Sequence, residues 1–205
     1  MVKLLDGDEA VYEPSKRSLN WLKLKKDYVD GLTDSFDLVP IAAWLGKGKR
    51  TGVYGAYLLA AYDPDEGVWQ AITKIGTGFS DEMLSQLTTA FNEKPGCVVA
   101  SRPRNVLVGS GCSDADVWFD PEESEVWEVM AADLSLSPEH MAALGKVDDE
   151  KGIALRFPRF LRRRASDDKG PTDATTAEQI ATMYKEQGIV ALGAGGDDDD
   201  DDDDN

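Results

Sequence analysis

The sequence predicts a mainly β fold: a small Greek-key barrel of the OB type carrying one or two short helices. Three observations predict it. Apolar, strand-length runs recur at 36–44, 54–62, 68–75, 117–119 and 125–133. Clusters of Gly, Asp, Asn, Ser and Pro separate them. One helical pattern, roughly 81–92, falls between the third run and the later ones, the order such a barrel shows.

Residues 1–31 open on a strand-like apolar run, although a strand needs a partner. This predicts a start inside a larger domain. Over 21–26 the residues alternate, so Trp21, Lys23 and Lys25 share one face of an extended chain, and Leu22 and Leu24 the other. Two lysines so spaced can hold one phosphate as point charges. The pattern equally fits a half-buried strand with a solvated lysine face. The polar segment 29–35 reads as a turn and a domain boundary.

Between the runs 36–44 and 54–62 lies a loop, 45–52, with three glycines and three cations, Lys47, Lys49 and Arg50. It suits a nucleic-acid phosphate contact, and equally a soluble turn whose cations discourage edge pairing. Ser80 is placed to cap the helix, with Asp81 and Glu82 at its positive end. Gly76-Thr77-Gly78 is too short for a nucleotide-binding glycine motif, and no Gly-Lys-Ser/Thr follows. Residues 95–116 read as irregular apart from apolar patches at 97–100 and 106–108. Residues 135–144 read as a short helix or turn. Thr175-Thr176-Ala177-Glu178 fits a capping box, opening a helix to about Gln187 with Gly188 just past its end. Residues 191–205 turn Gly-rich and then polyaspartate. With nothing to bury, they are expected to be disordered.

The charge is uneven. The net −17 includes eight consecutive aspartates at 197–204. Against that background, 151–169 holds seven Lys/Arg and two Asp, while 51–150 holds five and eighteen acids. A local basic stripe on an acidic body can still bind polyanions, because exposed charges are screened within roughly 8–10 Å. Five arginines crowd 156–164, interleaved with Phe157 and Phe160. Guanidinium forks suit phosphate oxygens and aromatics suit bases or sugars. Read as one extended chain, Arg156, Pro158, Phe160, Arg162 and Arg164 share a face, and Leu155, Phe157 and Leu161 the other. Pro158 confines that strand to an edge or bends it.

Cys97 and Cys112 have no CxxC spacing, and His140 is the single histidine. That excludes a cysteine or histidine metal centre and a disulfide framework, so no metal-ligating residue is assigned. No apolar run approaches about 18 residues, so no membrane partner is expected and the chain reads as soluble and intracellular.

Five segments together resemble the C-terminal part of ATP-dependent DNA ligases of the eukaryotic replicative type: SLNWLKLKKDYVDG (18–31), GKGKRTGVYGAYLLAAYD (46–63), KIGTGFSDEML (74–84), VWEVMAADLSLSP (126–138) and KGIALRFPRFLRR (151–163). DATTAEQIATMY (173–184) extends the match. The resemblance implies three parts: the end of an adenylation (nucleotidyltransferase) domain with motif V over 1–31, an OB-fold domain over 32–187, and an acidic tail over 188–205. It implies an enzyme that seals nicks in duplex DNA with ATP and Mg2+. A lysine is adenylated, AMP passes to the 5′-phosphate, and the 3′-hydroxyl attacks. It implies nicked double-stranded DNA as a partner, a monomer, a nuclear location, and work in DNA replication, repair and recombination.

Carried over by position, Lys23 and Lys25 match motif V and contact the α-phosphate. Asp27, Asp30 and Gly31 fall at the hinge between domains. Arg156, Arg164, Asp168 and Lys169 fall in motif VI, which orients the pyrophosphate during adenylation. Phe157 matches an aromatic that presses into the minor groove at the nick. Lys47, Lys49, Arg50 and Lys74 lie on segments facing the DNA backbone. Two further classes fit the same residues: a non-catalytic nucleic-acid-binding OB module, and a fragment of an RNA ligase or capping-type nucleotidyltransferase. The segments KIGTGFSDE and RFPRF argue against the latter.

Departures from the family pattern are as informative. The nucleophile's Lys-x-Asp-Gly is missing, and the nearest sequence, Tyr28-Val29-Asp30-Gly31, has tyrosine in place of lysine. Met130-Ala131 replaces the usual Lys-Cys, and Ala165-Ser166 reads as a two-residue insertion before Asp168-Lys169. These 205 residues are therefore expected to be a fragment, inactive alone and holding neither ATP nor Mg2+ tightly. Incubated with labelled ATP and magnesium, the chain should retain no label after denaturation. A covalent AMP adduct would contradict this.

Overall fold

The computed structural model describes residues 2–6, 21–22 and 34–193. Near the start, β1 (Val2–Lys3) pairs antiparallel with β2 (Trp21–Leu22). The expected strand over 21–26 otherwise lies outside the described residues, as do the hinge and the polyaspartate tail.

The rest is built on an antiparallel meander of β3 (Asp34–Leu45), β4 (Tyr54–Asp63) and β5 (Val68–Ile75). Helix α1 (Asp81–Glu93) follows. Ser80 caps it as expected, its hydroxyl accepting from Met83 N at 3.1 Å. Leu84, Leu87 and Phe91 form its buried stripe. The expected irregular segment contains the short strands β6 (Val98–Val99) and β7 (Val106–Leu107) and a single 3-10 turn, Ser110–Cys112, before β8 (Val117–Phe119). The chain then enters β9 (Trp127–Ala131) and β10 (Asp133–Ser137), and later β11 (Gly152–Arg156) and β12 (Arg159–Arg163).

Closure follows from the hydrogen bonding. β9 pairs with β3, matching Phe36 with Val129, and with β12 on its other side. Past Ala132 the same chain, now β10, pairs with β11. Ile153 N of β11 donates to Ala142 O at 2.8 Å, and Met141 N and Ala142 N both donate to Ala71 O of β5 at 2.9 and 3.1 Å. The path β3, β4, β5, residues 141–142, β11, then β10 and β9, returns to β3. This is a curled OB barrel, and it leaves few unpaired edges.

Aromatics fill the interior. Tyr57 meets Trp127 edge-on at 4.8 Å, while Phe91 stacks on Phe119 at 4.4 Å and Phe79 on Phe160 at 4.6 Å. Each such pair contributes about 0.5–1.5 kcal/mol beyond its buried area. The outer face of the meander is buried too: Val39, Ile41, Leu58, Ala60 and Trp69 lie beneath Val106, Cys112, Val126 and Ala174. That is why β3 and β4 read as unbroken apolar runs rather than alternations. Pro40 is tolerated inside β3 because the register shifts between Pro40 and Ala42.

Four expectations need correction. The run 125–133 is two strands' worth of chain bent at Ala132, and β10 extends through Ser137 where a helix or turn was expected. Tertiary pairing prevails there, since Leu134 and Leu136 lie opposite Leu155 and Ile153. The stretch 151–169 bends at Phe157-Pro158 into β11 and β12, one of the two outcomes expected of Pro158, so only its reading as a single extended chain fails. The expected face-sharing fails because Phe157 takes a left-handed φ of 53° and a bulge follows between Phe160 and Arg162. Phe160 is consequently buried, at 5% exposure, and not on the arginine face. Finally, α2 (Ala177–Gly193) is boxed by Thr176 and Gln179, one residue later than expected, and runs on through Gly188. Thr175 is already engaged: its hydroxyl accepts from Asp37 N at 3.0 Å. Beyond Gly188, Ile189-Val190-Ala191-Leu192 contains no proline to stop the helix.

Candidate nucleic-acid interface

The bend between β11 and β12 is held by a second turn, 76–78, at the end of β5. Thr77 donates its hydroxyl proton to Pro158 O at 2.8 Å, and Thr77 O accepts from Phe160 N at 3.1 Å. Gly78 (φ +94°) lies so close that an added Cβ would stand 2.5 Å from Phe160 O and 2.8 Å from Phe160 N. Only glycine meets both the φ and the spacing. Phe160 turns inward onto Phe79, which anchors the far side of the bend. Phe157 faces outward at 58% exposure, with the Arg156 guanidinium 5.3 Å from its ring centre.

The turn 76–78 also receives the cationic loop between β3 and β4. Arg50 donates through Nη1 to Gly76 O at 3.5 Å and through Nε to Asp81 at 3.4 Å. Arg50 therefore braces the turn and the start of α1. Lys47 and Lys49 are exposed beside it. Gly46 and Gly55 let the two strands converge, since a Cβ on Gly55 would stand 2.8 Å from Gly46 Cα. Lys74 lies 3.5 Å over the Trp44 ring, and the Trp44 indole donates to Asp114. Together Trp44, Lys47, Arg50, Lys74, Asp114 and Asp116 line a cleft of about 440 Å³. One end of the barrel thus gathers Lys47, Lys49, Arg50, Lys74, Arg156 and Phe157.

Arg164, Asp168 and Lys169 form a separate group. Arg164 N donates to Val126 O, whereas Arg156 stands opposite Asp133. Seven residue steps separate these partners, roughly 23 Å of extended chain. The structure therefore does not bring Arg156 together with Arg164. The Arg164 guanidinium spans three carboxylates: Asp37 at 3.6 Å, Glu128 at 3.3 Å and Asp168 at 3.2 Å. Lys169 Nζ lies 2.5 Å from Asp37 Oδ2. Arg162 pairs with Glu128 at 2.6 Å and Arg163 with Glu125. Asp37 and Glu128 were missed by sequence reasoning. They lie opposite each other on β3 and β9, and only strand register, which no periodicity encodes, reveals that.

Lys23, Lys25, Asp27, Asp30 and Gly31 lie outside the described residues. His140 sits in the turn after β10 with Nδ1 2.9 Å from the Ser137 hydroxyl, and burial lowers its pKa, which favours the neutral ring. Cys97 and Cys112 are free and buried, and burial pushes the Cys97 thiol up to about 11. The residues present fit the phosphate part of a nucleotide: the buried Arg164 Nε has no hydrogen-bond acceptor despite the nearby Asp37, so a donor remains uncommitted. They do not by themselves fit a metal ion, because the described residues hold no group of three or more His, Cys, Asp or Glu able to ligate one.

Fold and site together define an OB-fold domain whose cationic end presents an aromatic on a braced bend. Residues 50–168 match the family described as the ATP dependent DNA ligase C terminal region, and the chain belongs to that family. It is 57% identical over 189 residues to DNA ligase 1 of Dictyostelium discoideum, covering 92% of this chain and 15% of that protein. It is 57% identical over 187 residues to DNA ligase 1 of Arabidopsis thaliana, covering 91% and 22%. DNA ligase 1 of Saccharomyces cerevisiae is 49% identical, with 91% and 23% covered. The chain thus spans less than a quarter of these relatives. The ligase domain of M. tuberculosis LigD shares the fold, with a TM-score of 0.50 at 21% identity, covering 80% of this chain and 43% of that one.

Two substitutions probe the two groups. Gly78→Ala should destabilise the chain by about 2–4 kcal/mol, through strained backbone and collision with Phe160. Denaturant unfolding measures it, and a loss below about 0.5 kcal/mol would contradict the bracing. Asp37→Asn leaves Arg164 and Lys169 facing a neutral amide. With all three side chains at most 32% exposed, it should cost about 2–3 kcal/mol in the same assay. Unchanged stability would show that the cluster contributes nothing to the fold.

Proposed function

We propose that this chain is the DNA-gripping, active-site-completing part of an ATP-dependent DNA ligase that seals nicks in duplex DNA. The observation that carries the proposal is the bend at Phe157. A bulky residue in the left-handed region costs about 1–3 kcal/mol and persists only where surrounding structure over-determines it. Here Thr77, Gly78 and Phe160 do so, and the result is an exposed aromatic flanked by cations. The relatives named DNA ligase 1 supply the reaction class.

On this reading Phe157 presses against the groove at the nick, where an exposed ring can fill a step between bases. Lys47, Lys49 and Lys74 meet backbone phosphates, and Arg50 keeps their loop on the turn 76–78. Arg156 contacts DNA beside Phe157, as its separation from Arg164 favours. Arg164, Asp168 and Lys169 orient the pyrophosphate end of ATP, with Arg164 able to offer Nε once a phosphate replaces Asp37. Lys23 and Lys25 contact the α-phosphate, and rotation at Asp27, Asp30 and Gly31 exchanges the nucleotide face for the DNA face. ATP and Mg2+, when bound to the complete enzyme, supply the activated phosphate and neutralise its charge. The complete protein would act as a monomer in the nucleus, in replication, repair and recombination. The division into 1–31, 32–187 and 188–205 belongs to the same proposal.

The test adds this chain to a separate ligase nucleotidyltransferase domain and follows sealing of a nicked duplex. Sealing should appear, and Phe157→Ala should reduce it at least about tenfold, the loss of one transition-state-positioning contact. Salt-sensitive DNA binding without sealing would instead favour the non-catalytic module. Sealing confined to nicked RNA would favour the RNA-ligase relative.

A further inference from the structure

The five arginines of 156–164 divide by partner. Arg162, Arg163 and Arg164 are joined to Glu128, Glu125, Asp37 and Asp168. Arg156 and Arg159 are both exposed, and among the described residues neither forms an ion pair with a carboxylate. Asp133 stands across the strand pair from Arg156 but forms no ion pair with it, so both guanidinium groups remain open to an added anion.

Helix α2, which precedes the polyaspartate run in the sequence, is tied to the strand beside the bend. Gln187 clamps β10 through both ends of its amide: Nε2 donates to Leu134 O at 3.0 Å, and Oε1 accepts from Leu134 N at 2.9 Å. Leu134 is the neighbour of Asp133, which stands directly opposite Arg156. Gln187 therefore lies within roughly 15 Å of Arg156, given strands about 5 Å apart and a rise near 3.3 Å per residue. The six helical residues after Gln187 add roughly 9 Å. The eleven residues 194–204 can span up to about 36 Å. Whichever way the helix end points, the distal aspartates of the run are within reach of the bend.

We propose that the aspartates 197–204 dock on the surface formed by Arg156 and Arg159, in competition with the phosphate backbone of DNA. Tethering holds the tail at an effective concentration near the millimolar range, so pairing too weak for a free peptide suffices in one chain. A run of carboxylates presents a repeating charge as a nucleic-acid backbone does, and both are attracted by exposed guanidinium groups. The attraction falls with salt, because the Debye length drops from about 14 Å near 50 mM to about 6 Å near 300 mM. The docking itself rests only on charge and reach. Its consequence for DNA rests on the proposed function.

The test uses the full 205-residue chain with all eight aspartates changed to asparagine, and a second variant with all eight changed to glutamate. At 50 mM salt, amide and guanidinium NMR signals of residues 156–159 should shift in the asparagine variant relative to the natural chain. The glutamate variant should match the natural chain, and the differences should vanish at 300 mM. Superimposable signals from the natural chain and the asparagine variant at 50 mM would overturn the docking, whatever happens with DNA. In a nicked-duplex binding assay at 50 mM, the asparagine variant should bind about tenfold tighter. Arg156→Gln together with Arg159→Gln should abolish that gain. An equal gain in that background would show general repulsion and overturn the competition. If no variant binds DNA, the proposed function fails and the NMR comparison alone decides the docking.

Discussion

The interaction on which the rest of this structure depends is the contact of the turn 76–78 with the bend at 157–160. Thr77 bonds the backbone of the bend at Pro158 O and Phe160 N, and Gly78 lies where no side chain fits. Without that brace, Pro158 would end one strand and Phe157 would have no reason to stay left-handed. With it, the bend becomes a rigid edge between two sheets. Arg50 reaches the same turn from the cationic loop, so one three-residue segment sets the spacing of the cations and the exposed aromatic.

The barrel is the means of bringing these segments together. β5 ends at the turn, and β11 and β12 flank the bend. Residues 141–142 tie β11 to β5, which places the two a short distance apart although some eighty residues separate them in sequence. The aromatic interior makes the arrangement stiff: Phe160, the residue just beyond the bend, stacks on Phe79, the residue just beyond the turn. Both halves of the brace are thus anchored in one core. Asp37 and Glu128, acidic partners of Arg164 and Lys169, lie on neighbouring strands of the same wall, so the Arg164–Lys169 group shares the scaffold but not the location of the braced bend.

Much of this was legible in the sequence, and the rest was not for definite reasons. The three long strands, α1 and the cap at Ser80 follow from apolar runs and local chemistry, which are properties of neighbouring residues. The bend is half legible: Pro158 signals a break, but the positive φ of Phe157 depends on Gly78, distant in the chain. Simple alternation through the stretch puts Phe160 on the arginine face, and the break and the bulge turn it inward instead. Asp37 and Glu128 escaped notice because register, not pattern, sets them opposite each other. The cap of α2 shifted by one residue because Thr175 had a tertiary partner in Asp37.

The central claim is that the braced bend, rather than the Arg164–Lys169 group, is the surface that meets DNA. Amide hydrogen exchange of the chain with and without a nicked duplex tests it most directly. The account predicts that DNA slows exchange in 46–50, 74–78 and 156–160, with 164–169 unchanged. Protection confined to 164–169, or none at the bend under conditions where binding is saturated, would contradict it.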